Sequence, residues 1–253
     1  MKKILGLGNA LVDALIQIDN DDIFKELHLY KEGMTLIKES THKKIANRLK
    51  SLSFKRSNGG SAGNALSCIA ALGGDASFVG RIGADENGAF YEAESKQRGV
   101  KFIPLRDPSL PTGVANTFIS DGGLRTFATY LGAAALLEAK HLDAAMPQDV
   151  DYVFIEGYLV QNHELIERAV ELSHQRGAKV CLDLASWNIV ESEHAFFERL
   201  LPNIDIVFAN EDEARAMTGR IGEEAARLLA QTCQIAIVKC GPRGAVAVEG
   251  DQC

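Results

Sequence analysis

Alternation of helix-like and strand-like segments is the feature of this chain that most restricts its fold. From about residue 60, apolar residues spaced for one helical face alternate with short apolar runs, such as residues 152–155 and 204–208. Continuous apolar runs are typical of strands buried on both faces, and strands that alternate with helices form parallel sheets. The sequence therefore predicts an α/β fold, a three-layer α/β/α arrangement with a mostly parallel central sheet.

Two segments depart from this alternation. Residues 14–40 and 112–130 show the polar–apolar alternation and the turn residues of half-exposed antiparallel strands. We interpret them as a small β-strand lid on an α/β core domain formed by residues 1–13, 41–111 and 131–253. Surface hairpins without a functional role are the alternative.

Composition excludes several classes of protein. The formal net charge of −7 gives no global support for a nucleic-acid partner. The five cysteines are widely spaced with no CxxC pair, which argues against a disulfide framework or a zinc cage and favours a reducing compartment. No apolar run approaches the roughly 20 residues of a membrane span. Lys2 and Lys3 precede an apolar stretch, as in a signal peptide, but we interpret this stretch as a first buried strand. We therefore predict a cytoplasmic protein.

A glycine-rich stretch, NGGSAGN at residues 58–64, precedes a predicted helix. The paired glycines Gly59 and Gly60 let the backbone approach a ligand closely, and Asn64 offers both a donor and an acceptor, which suits a polyhydroxyl ligand. A plain turn before a helix is the alternative. The stretch also matches GxSxG around Ser61, but residues 53–57 are too polar for the central strand of a hydrolase nucleophile elbow.

Two further strand ends carry chemistry-bearing residues. Asn210 and Glu213 follow an apolar strand at a helix start, where a carboxylate and an amide oxygen suit a hydrated Mg²⁺. A capping box formed by the same pair is the alternative. Lys239 and Gly241 lie in a strand–turn–strand segment in which nucleotide contact is plausible on position alone. The chain has no GxxxxGK[ST] loop, no complete Rossmann fingerprint and no HExxH spacing.

Five segments in this order resemble the ribokinase-like (pfkB) family of carbohydrate kinases, and within it the branch that contains adenosine kinase. They are GNALVD at 8–13, GGSAGN at 59–64, RTFATYLGAA at 125–134, NEDE at 210–213 and KCG at 239–241. The resemblance implies an ATP-dependent kinase that uses Mg²⁺ and phosphorylates a primary hydroxyl of a small-molecule sugar or nucleoside. Members of this family can also form homodimers through the lid, so the resemblance makes a homodimer plausible here.

The resemblance assigns roles residue by residue. Asn9 and Asp13 match residues that bind the acceptor's hydroxyls, and Gly59, Gly60 and Asn64 match the loop around its sugar ring. Arg125 matches an arginine that faces the transferred phosphate. Asn210 and Glu213 match an element that organises Mg²⁺ and phosphate, and Lys239 and Gly241 match a stretch along the nucleotide. Glu156 and Asp183, at two other strand ends, are weaker candidates.

One departure from the family pattern concerns the catalytic base. Family members carry a Gly-Ala-Gly-Asp element whose Asp takes the acceptor's proton, and this sequence contains none. Asp251 lacks the surrounding glycines, so we do not assign it that role. We expect a C-terminally truncated kinase that binds acceptor but turns over little. A non-catalytic sugar- or nucleoside-binding protein and a serine hydrolase using Ser61 are the alternatives.

Overall fold

The computed structural model describes residues 1–29, 31, 33–49 and 54–253. In this part of the chain, thirteen strands form two sheets. In chain order the strands are β1 (Lys3–Leu7), β2 (Leu11–Gln17), β3 (Met34–Leu36), β4 (Phe54–Gly59), β5 (Asp75–Gly83), β6 (Lys101–Asp107), β7 (Thr112–Ile119), β8 (Arg125–Gly132), β9 (Tyr152–Glu156), β10 (Lys179–Asp183), β11 (Ile206–Asn210), β12 (Ile235–Lys239) and β13 (Ala245–Glu249).

Ten α-helices connect these strands in the same described ranges. They are α1 (Asp22–Leu27), α2 (Glu39–Leu49), α3 (Ser61–Ala71), α4 (Glu86–Gln97), α5 (Leu142–Ala145), α6 (His163–Gln175), α7 (Trp187–Ser192), α8 (His194–Leu200), α9 (Glu211–Thr218) and α10 (Gly222–Leu229). Local signals set their ends: the Asp85 side chain accepts a hydrogen bond from the Gly88 amide at the start of α4, and Asn162 caps α6 in the same way.

The large sheet has eight strands in the order β13-β12-β11-β10-β9-β1-β5-β6, all parallel except β13. Alternate side chains of each strand point to opposite faces. Val153 and Ile155 of β9 pack with α6 on one face, whereas Phe154 packs with α3 on the other. The predicted three-layer α/β/α fold with a mostly parallel sheet is confirmed.

The small sheet has five strands in the order β3-β8-β7-β2-β4. Helices α1 and α2 pack on its outer face through Phe24 and Ile45, against Ile16 and Phe118. Pairing is antiparallel for β7 with β8 and for β2 with β4, but parallel for β2 with β7 and for β3 with β8. The expectation of antiparallel strands was therefore only partly right, because the two strands of the β7–β8 hairpin also pair in parallel with β2 and β3, which are distant in sequence.

The small sheet draws on more of the chain than the predicted lid segments. Residues 14–40 and 112–130 supply most of β2, β3, β7 and β8, and the sheet also includes residues 11–13 and the whole of β4. The polar residues of β4 suit an edge strand, which is its place in the sheet order. Residues 30 and 32 of the predicted lid and residues 50–53 of the predicted core domain lie outside the described residues, and the division into two domains stays a prediction.

A membrane-spanning helix is not found in the described ranges: none of the helices there is both long and apolar enough to cross a bilayer.

Candidate functional site

Polar side chains stand at the carboxyl ends of five neighbouring strands of the large sheet. Asn9 follows β1, and Glu156, Asp183, Asn210 and Lys239 end β9, β10, β11 and β12. The strand pairing aligns Glu156 with Asp183 and Asn210 with Lys239. Ligands of parallel α/β sheets bind beyond this edge, so the sheet order brings together residues that are more than 200 positions apart in the sequence.

A cavity of about 390 Å³ lies between this edge and the small sheet. Its polar lining includes four of the predicted acceptor residues, Asn9, Asp13, Gly60 and Asn64. The small sheet contributes an apolar wall that consists of Leu11, Met34, Leu36, Phe127 and Leu131. A site with one polar and one apolar side can orient a small, partly hydroxylated molecule and exclude water from it.

The two glycines of the GGSAGN stretch permit close packing rather than contributing side chains. A Cβ on Gly59 would lie 2.1 Å from Oδ1 of Asp13, and one on Gly60 would lie 2.2 Å from the backbone oxygen of Asn9. Gly60 also has φ of +85°, which L side chains rarely adopt. Gly59 thus stands behind Asp13 without lining the cavity, whereas Gly60 lines it.

Glu156, a buried residue at the end of β9, connects this strand with Asn9 after β1 and with the start of α3. Its Oε1 accepts a hydrogen bond from Nδ2 of Asn9 at 2.8 Å, and its Oε2 accepts one from the amide of Ala62 at 3.1 Å. Burial raises the pKa of this carboxyl, and the hydrogen bonds from Ala62, Asn9 and Ser61 partly oppose the rise. Glu156, a weak candidate from the sequence, therefore holds Asn9 and the start of α3 in place.

Asp13 has a different environment. Burial raises the pKa of its carboxyl to about 6, while the positive charges of Arg125 and Arg98 act in the opposite direction and Glu94 adds to the rise. In the described part of the chain, no group donates a hydrogen bond to the Asp13 carboxylate. A half-buried acceptor that faces a cavity without a protein donor is suited to receive donors from a ligand.

Arg125 is exposed at the start of β8 and lines neither this cavity nor the neighbouring one among the described residues. Its charge nevertheless lowers the pKa of Asp13. The predicted role of Arg125 toward a phosphate stays a prediction.

Helix α4 braces the glycine turn from behind, a feature that sequence reasoning missed. Nδ2 of Asn58 donates to the backbone oxygen of Tyr91 at 2.9 Å and to Oγ of Ser95 at 2.8 Å. The amide of Asn58 donates to Oε2 of Glu94 at 2.7 Å. These contacts are 33 to 37 positions apart in the sequence, so no local pattern could have indicated them.

A second cavity of about 560 Å³ adjoins the first and shares Asn9, Leu131, Tyr158 and Gln161 with it. Tyr158 and Gln161 lie in the 3₁₀ turn Gly157–Gln161 that follows β9. Burial raises the pKa of Tyr158, whose hydroxyl also interacts with Ser186. Sequence reasoning missed both residues, although the strand-end rule that pointed to Glu156 applies equally to the turn that follows it.

The predicted nucleotide side lies further along the same edge. Oδ1 of Asn210 accepts hydrogen bonds from the amides of Asp212 and Glu213, both at 2.9 Å. Oε2 of Glu213 accepts from the Asn210 amide at 2.7 Å, and Oε1 accepts from its Nδ2 at 2.6 Å. The capping-box alternative is confirmed for this pair.

Direct coordination of Mg²⁺ does not fit Glu213 as it stands. Both carboxylate oxygens already accept hydrogen bonds, and the residue is 3% exposed. Across the described ranges, no group of three or more His, Cys, Asp or Glu residues could hold a metal ion. The metal role of Glu213 remains a prediction from the resemblance.

Lys239 and Gly241 present an open surface beside this helix start. Nζ of Lys239 lies 3.0 Å from Oδ2 of Asp183, and the lysine side chain is half exposed. A Cβ on Gly241 would meet nothing within 4 Å, so the backbone there is accessible. An exposed ammonium next to accessible backbone fits a polyphosphate, which prefers cations and N–H donors.

The pfkB family of carbohydrate kinases matches residues 32–253. The chain belongs to this family. Adenosine kinase 2 of Arabidopsis thaliana is 26% identical over 224 residues, which cover 85% of this chain and 64% of that protein. The chain therefore spans about two thirds of the length of this curated relative.

Two solved structures are similar to this pfkB family member. A probable sugar kinase from Rhizobium etli CFN 42 has a TM-score of 0.87 at 29% identity and covers 98% of this chain and 77% of its own. The adenosine kinase of Sinorhizobium meliloti has a TM-score of 0.85 at 29% identity, with coverage of 99% and 78%. These similarities confirm the predicted family and its adenosine-kinase branch.

Ser61 of this pfkB family member lacks the setting of a hydrolase nucleophile. It is the first residue of α3 and follows β4, an edge strand of the small sheet, rather than a central parallel strand. Its side chain hydrogen-bonds to the buried Glu156 carboxylate, and no histidine lines the first cavity in the described ranges, so the histidine base of a hydrolase triad is missing there. The geometry therefore gives the hydrolase alternative no support.

Proposed function

We propose that this chain carries the acceptor site of an ATP-dependent kinase that phosphorylates a hydroxyl of a nucleoside. One observation carries the proposal: the Asp13 carboxylate faces the first cavity beside Asn9, Gly60 and Asn64, and no described residue donates a hydrogen bond to it. Adjacent hydroxyls of a ring are the donors that such a carboxylate lacks. Family membership supports a sugar or nucleoside as the broader acceptor class.

The second cavity favours a nucleoside over a free monosaccharide. A pentose fits the first cavity of about 390 Å³ alone. A base attached to that pentose would extend past the shared residues Leu131 and Tyr158 into the second cavity. Leu131 and Tyr158 offer apolar and aromatic surface to such a planar group. The solved adenosine kinase from Sinorhizobium meliloti supports the same acceptor class.

The residues present would bind and orient the acceptor. Asp13 would accept hydrogen bonds from two ring hydroxyls, and the Asn64 amide would donate to or accept from a third polar group. Met34, Leu36 and Phe127 would cover the ring and keep water away. The acceptor's reacting hydroxyl would then point along the strand edge toward Asp183 and Lys239.

The same proposal places ATP along β10, β11 and β12, where it would supply the phosphoryl group. The Lys239 ammonium and the backbone at Gly241 fit its phosphates. Asn210, which pairs with Lys239 in the sheet and begins α9, would lie beside them. Glu213 would not bind Mg²⁺ directly while both of its carboxylate oxygens accept hydrogen bonds from Asn210.

Calorimetric titration with adenosine, cytidine and free ribose tests the proposal. We expect nucleosides to bind more tightly than ribose, and Asp13→Ala to weaken nucleoside binding at least about tenfold, because it removes a charged acceptor of two hydrogen bonds. Asp75→Ala, at an exposed aspartate, is the matched control and should leave binding unchanged. Nucleoside binding that survives Asp13→Ala would contradict the proposal.

Two predictions about the whole protein accompany this function. The edge strands β3 and β4 of the small sheet leave backbone groups available for pairing, so we propose a homodimer through this sheet. Sedimentation at several concentrations should show a dimer, and a monomer at every concentration would contradict this pairing. The predicted cytoplasmic location stays a prediction.

A further inference from the structure

One face of α4 contacts the end of β4, the strand that carries the glycine turn. β4 is an edge strand of the small sheet, so the backbone groups on its outer side need partners from outside the sheet. Four residues of α4 and its C-terminal cap, spaced three or four positions apart, share the face that supplies them: Tyr91, Glu94, Ser95 and Arg98.

Glu94 combines two of the contacts on this face. Its Oε2 accepts a hydrogen bond from the Asn58 amide at 2.7 Å, and its Oε1 accepts one from Nη2 of Arg98. The side chains of Glu94 and Arg98 are 17% and 32% exposed, so the pair is largely shielded from solvent. The Tyr91 hydroxyl donates to the oxygen of the next residue, Gly59, at 3.3 Å. Helix α4 therefore fixes the backbone of two successive residues.

The backbone that α4 fixes lies directly against the Asp13 carboxylate. Strand pairing sets residues 57–59 opposite residues 11–13. A Cβ on Gly59 would lie 2.1 Å from Oδ1 of Asp13 and 2.7 Å from Oδ2, so the carboxylate has no room to approach the turn further. A displacement of the turn would therefore change where the Asp13 carboxylate stands in the first cavity.

Glu94 and Arg98 also contribute charge at Asp13. Burial raises the pKa of the Asp13 carboxyl, Arg125 and Arg98 lower it, and Glu94 adds to the rise. The titratable groups that act on Asp13 or stand near it on neighbouring elements are Tyr91, Glu94 and Arg98 at α4, Arg125 on β8 and Glu156 on β9. Loss of the Arg98 charge and loss of the Glu94 charge should therefore change the ionisation of Asp13 in opposite directions.

We propose that Glu94 and Arg98 are positioning residues of the acceptor site, which act on the bound acceptor through the glycine turn and Asp13. This inference rests on the proposed function, since it needs an acceptor bound at Asp13. Neither residue lines the first cavity in the described ranges, so neither would contact the acceptor itself.

Calorimetric titration with adenosine at pH 5 and pH 8 tests the charges of the pair. Arg98→Met should weaken binding about threefold at pH 5, because fewer molecules then carry the Asp13 carboxylate, and the factor is small because partly exposed charges are screened. Glu94→Gln should strengthen binding at pH 5 by a similar factor, because it removes the charge that opposes ionisation of Asp13. Neither variant should change the affinity at pH 8, where Asp13 is ionised in all of these proteins.

Glu94→Ala tests the position of the turn. At pH 8 it should weaken adenosine binding about tenfold, because the Asn58 amide loses its acceptor and the turn is released. Glu94→Gln keeps an oxygen for that amide and should retain the native affinity at this pH. The stoichiometry of each titration gives the folded fraction, so a loss of folded protein is distinguished from a loss of affinity.

Two variants of the same helix serve as matched controls. Lys96→Met removes an exposed positive charge, and Glu92→Gln removes a negative charge that pairs with Arg106 on β6. Neither side chain contacts the glycine turn in the described part of the chain, so both variants should bind adenosine as the native chain does at both pH values.

The outcomes separate the inference from the proposed function. Opposite shifts at pH 5 in Arg98→Met and Glu94→Gln, with a loss at pH 8 in Glu94→Ala that Glu94→Gln avoids, support the inference. Native adenosine binding that none of the three variants alters, or that both charge variants shift in the same direction, overturns the inference and spares the function. Absence of nucleoside binding to the native chain overturns both.

Discussion

Replacement of Asp13 by asparagine should stabilise the folded protein while it weakens ligand binding. Burial raises the pKa of Asp13 to about 6, which means that the charged form is unfavourable in the folded state at neutral pH. Asparagine has nearly the same shape and cannot ionise. The variant therefore removes a buried charge without creating a cavity.

The magnitude follows from the two states of the chain. The folded protein releases the Asp13 proton near pH 6, whereas the ordinary carboxyl releases it near 3.8. Between these values the folded state binds more protons than the unfolded state, so the free energy of unfolding falls as pH rises. The full loss above pH 6 is about 3 kcal/mol, since each tenfold change in proton affinity is worth about 1.4 kcal/mol. Partial exposure of Asp13 screens the charge, so we expect the variant to gain about 1–2 kcal/mol.

Urea unfolding of the native chain and of Asp13→Asn at pH 4, 6 and 8 measures this difference. We expect the two proteins to differ least at pH 4, where the carboxyl is protonated in the folded state and only partly ionised in the unfolded state, and to be furthest apart at pH 8. Asp75→Asn, at an exposed aspartate, should show no such pH dependence. A variant that is no more stable than the native chain at pH 8, or a gap that is constant with pH, would refute the reasoning.

Three other substitutions test separate parts of the site. Gly73→Ala should lower the free energy of unfolding in urea by roughly 1 kcal/mol, and Gly60→Ala should lower it by at least twice as much. Both glycines have positive φ, but only at Gly60 would the added Cβ lie 2.2 Å from a backbone oxygen, that of Asn9. Equal losses for the two variants would contradict the close-packing argument. Glu156→Ala should lower the free energy of unfolding by about 2–4 kcal/mol by leaving two buried donors unpaired; a loss below about 1 kcal/mol would show that water replaces the carboxylate. Lys239→Ala should weaken ATP binding about tenfold in calorimetric titration, with nucleoside binding unchanged, and an unaltered ATP affinity would remove Lys239 from the nucleotide side.

Sequence periodicity predicted the larger sheet well because its strands are apolar on both faces and its helices carry local caps. Asn9 and Asp13, which the family resemblance singled out, and Asn64, which the glycine-rich turn indicated, line one cavity, and each lies a few residues from a strand or helix boundary. Periodicity failed for β4, whose polar residues do not show the pattern of a buried strand. Edge strands are stabilised by tertiary pairing, which one sequence does not reveal.

The features of the site that the sequence did not predict also depend on tertiary pairing. The capping box of Asn210 and Glu213 was visible in the sequence because its two members are three residues apart. The brace between Asn58 and α4, and the joining of the two cavities at Tyr158, depend on elements that meet only after the sheet has formed. Local chemistry was therefore predictable and the assembled shape was not.

Two acids that line the first cavity, Glu156 and Asp13, differ in where their hydrogen-bond donors come from. Glu156 is fully buried, and protein groups donate to both of its oxygens, so its hydrogen-bonding needs are met when the chain folds. Asp13 is half buried and faces the cavity, and no described residue donates to its carboxylate. A carboxylate without donors opposes folding, and it is retained at a binding site when a ligand supplies the donors. Such a ligand favours the charged form, so binding should lower the pKa of Asp13 and weaken as pH falls below about 6. Affinity that does not change between pH 5 and pH 8 would mean that the Asp13 carboxylate is not the group that receives the ligand's hydroxyls.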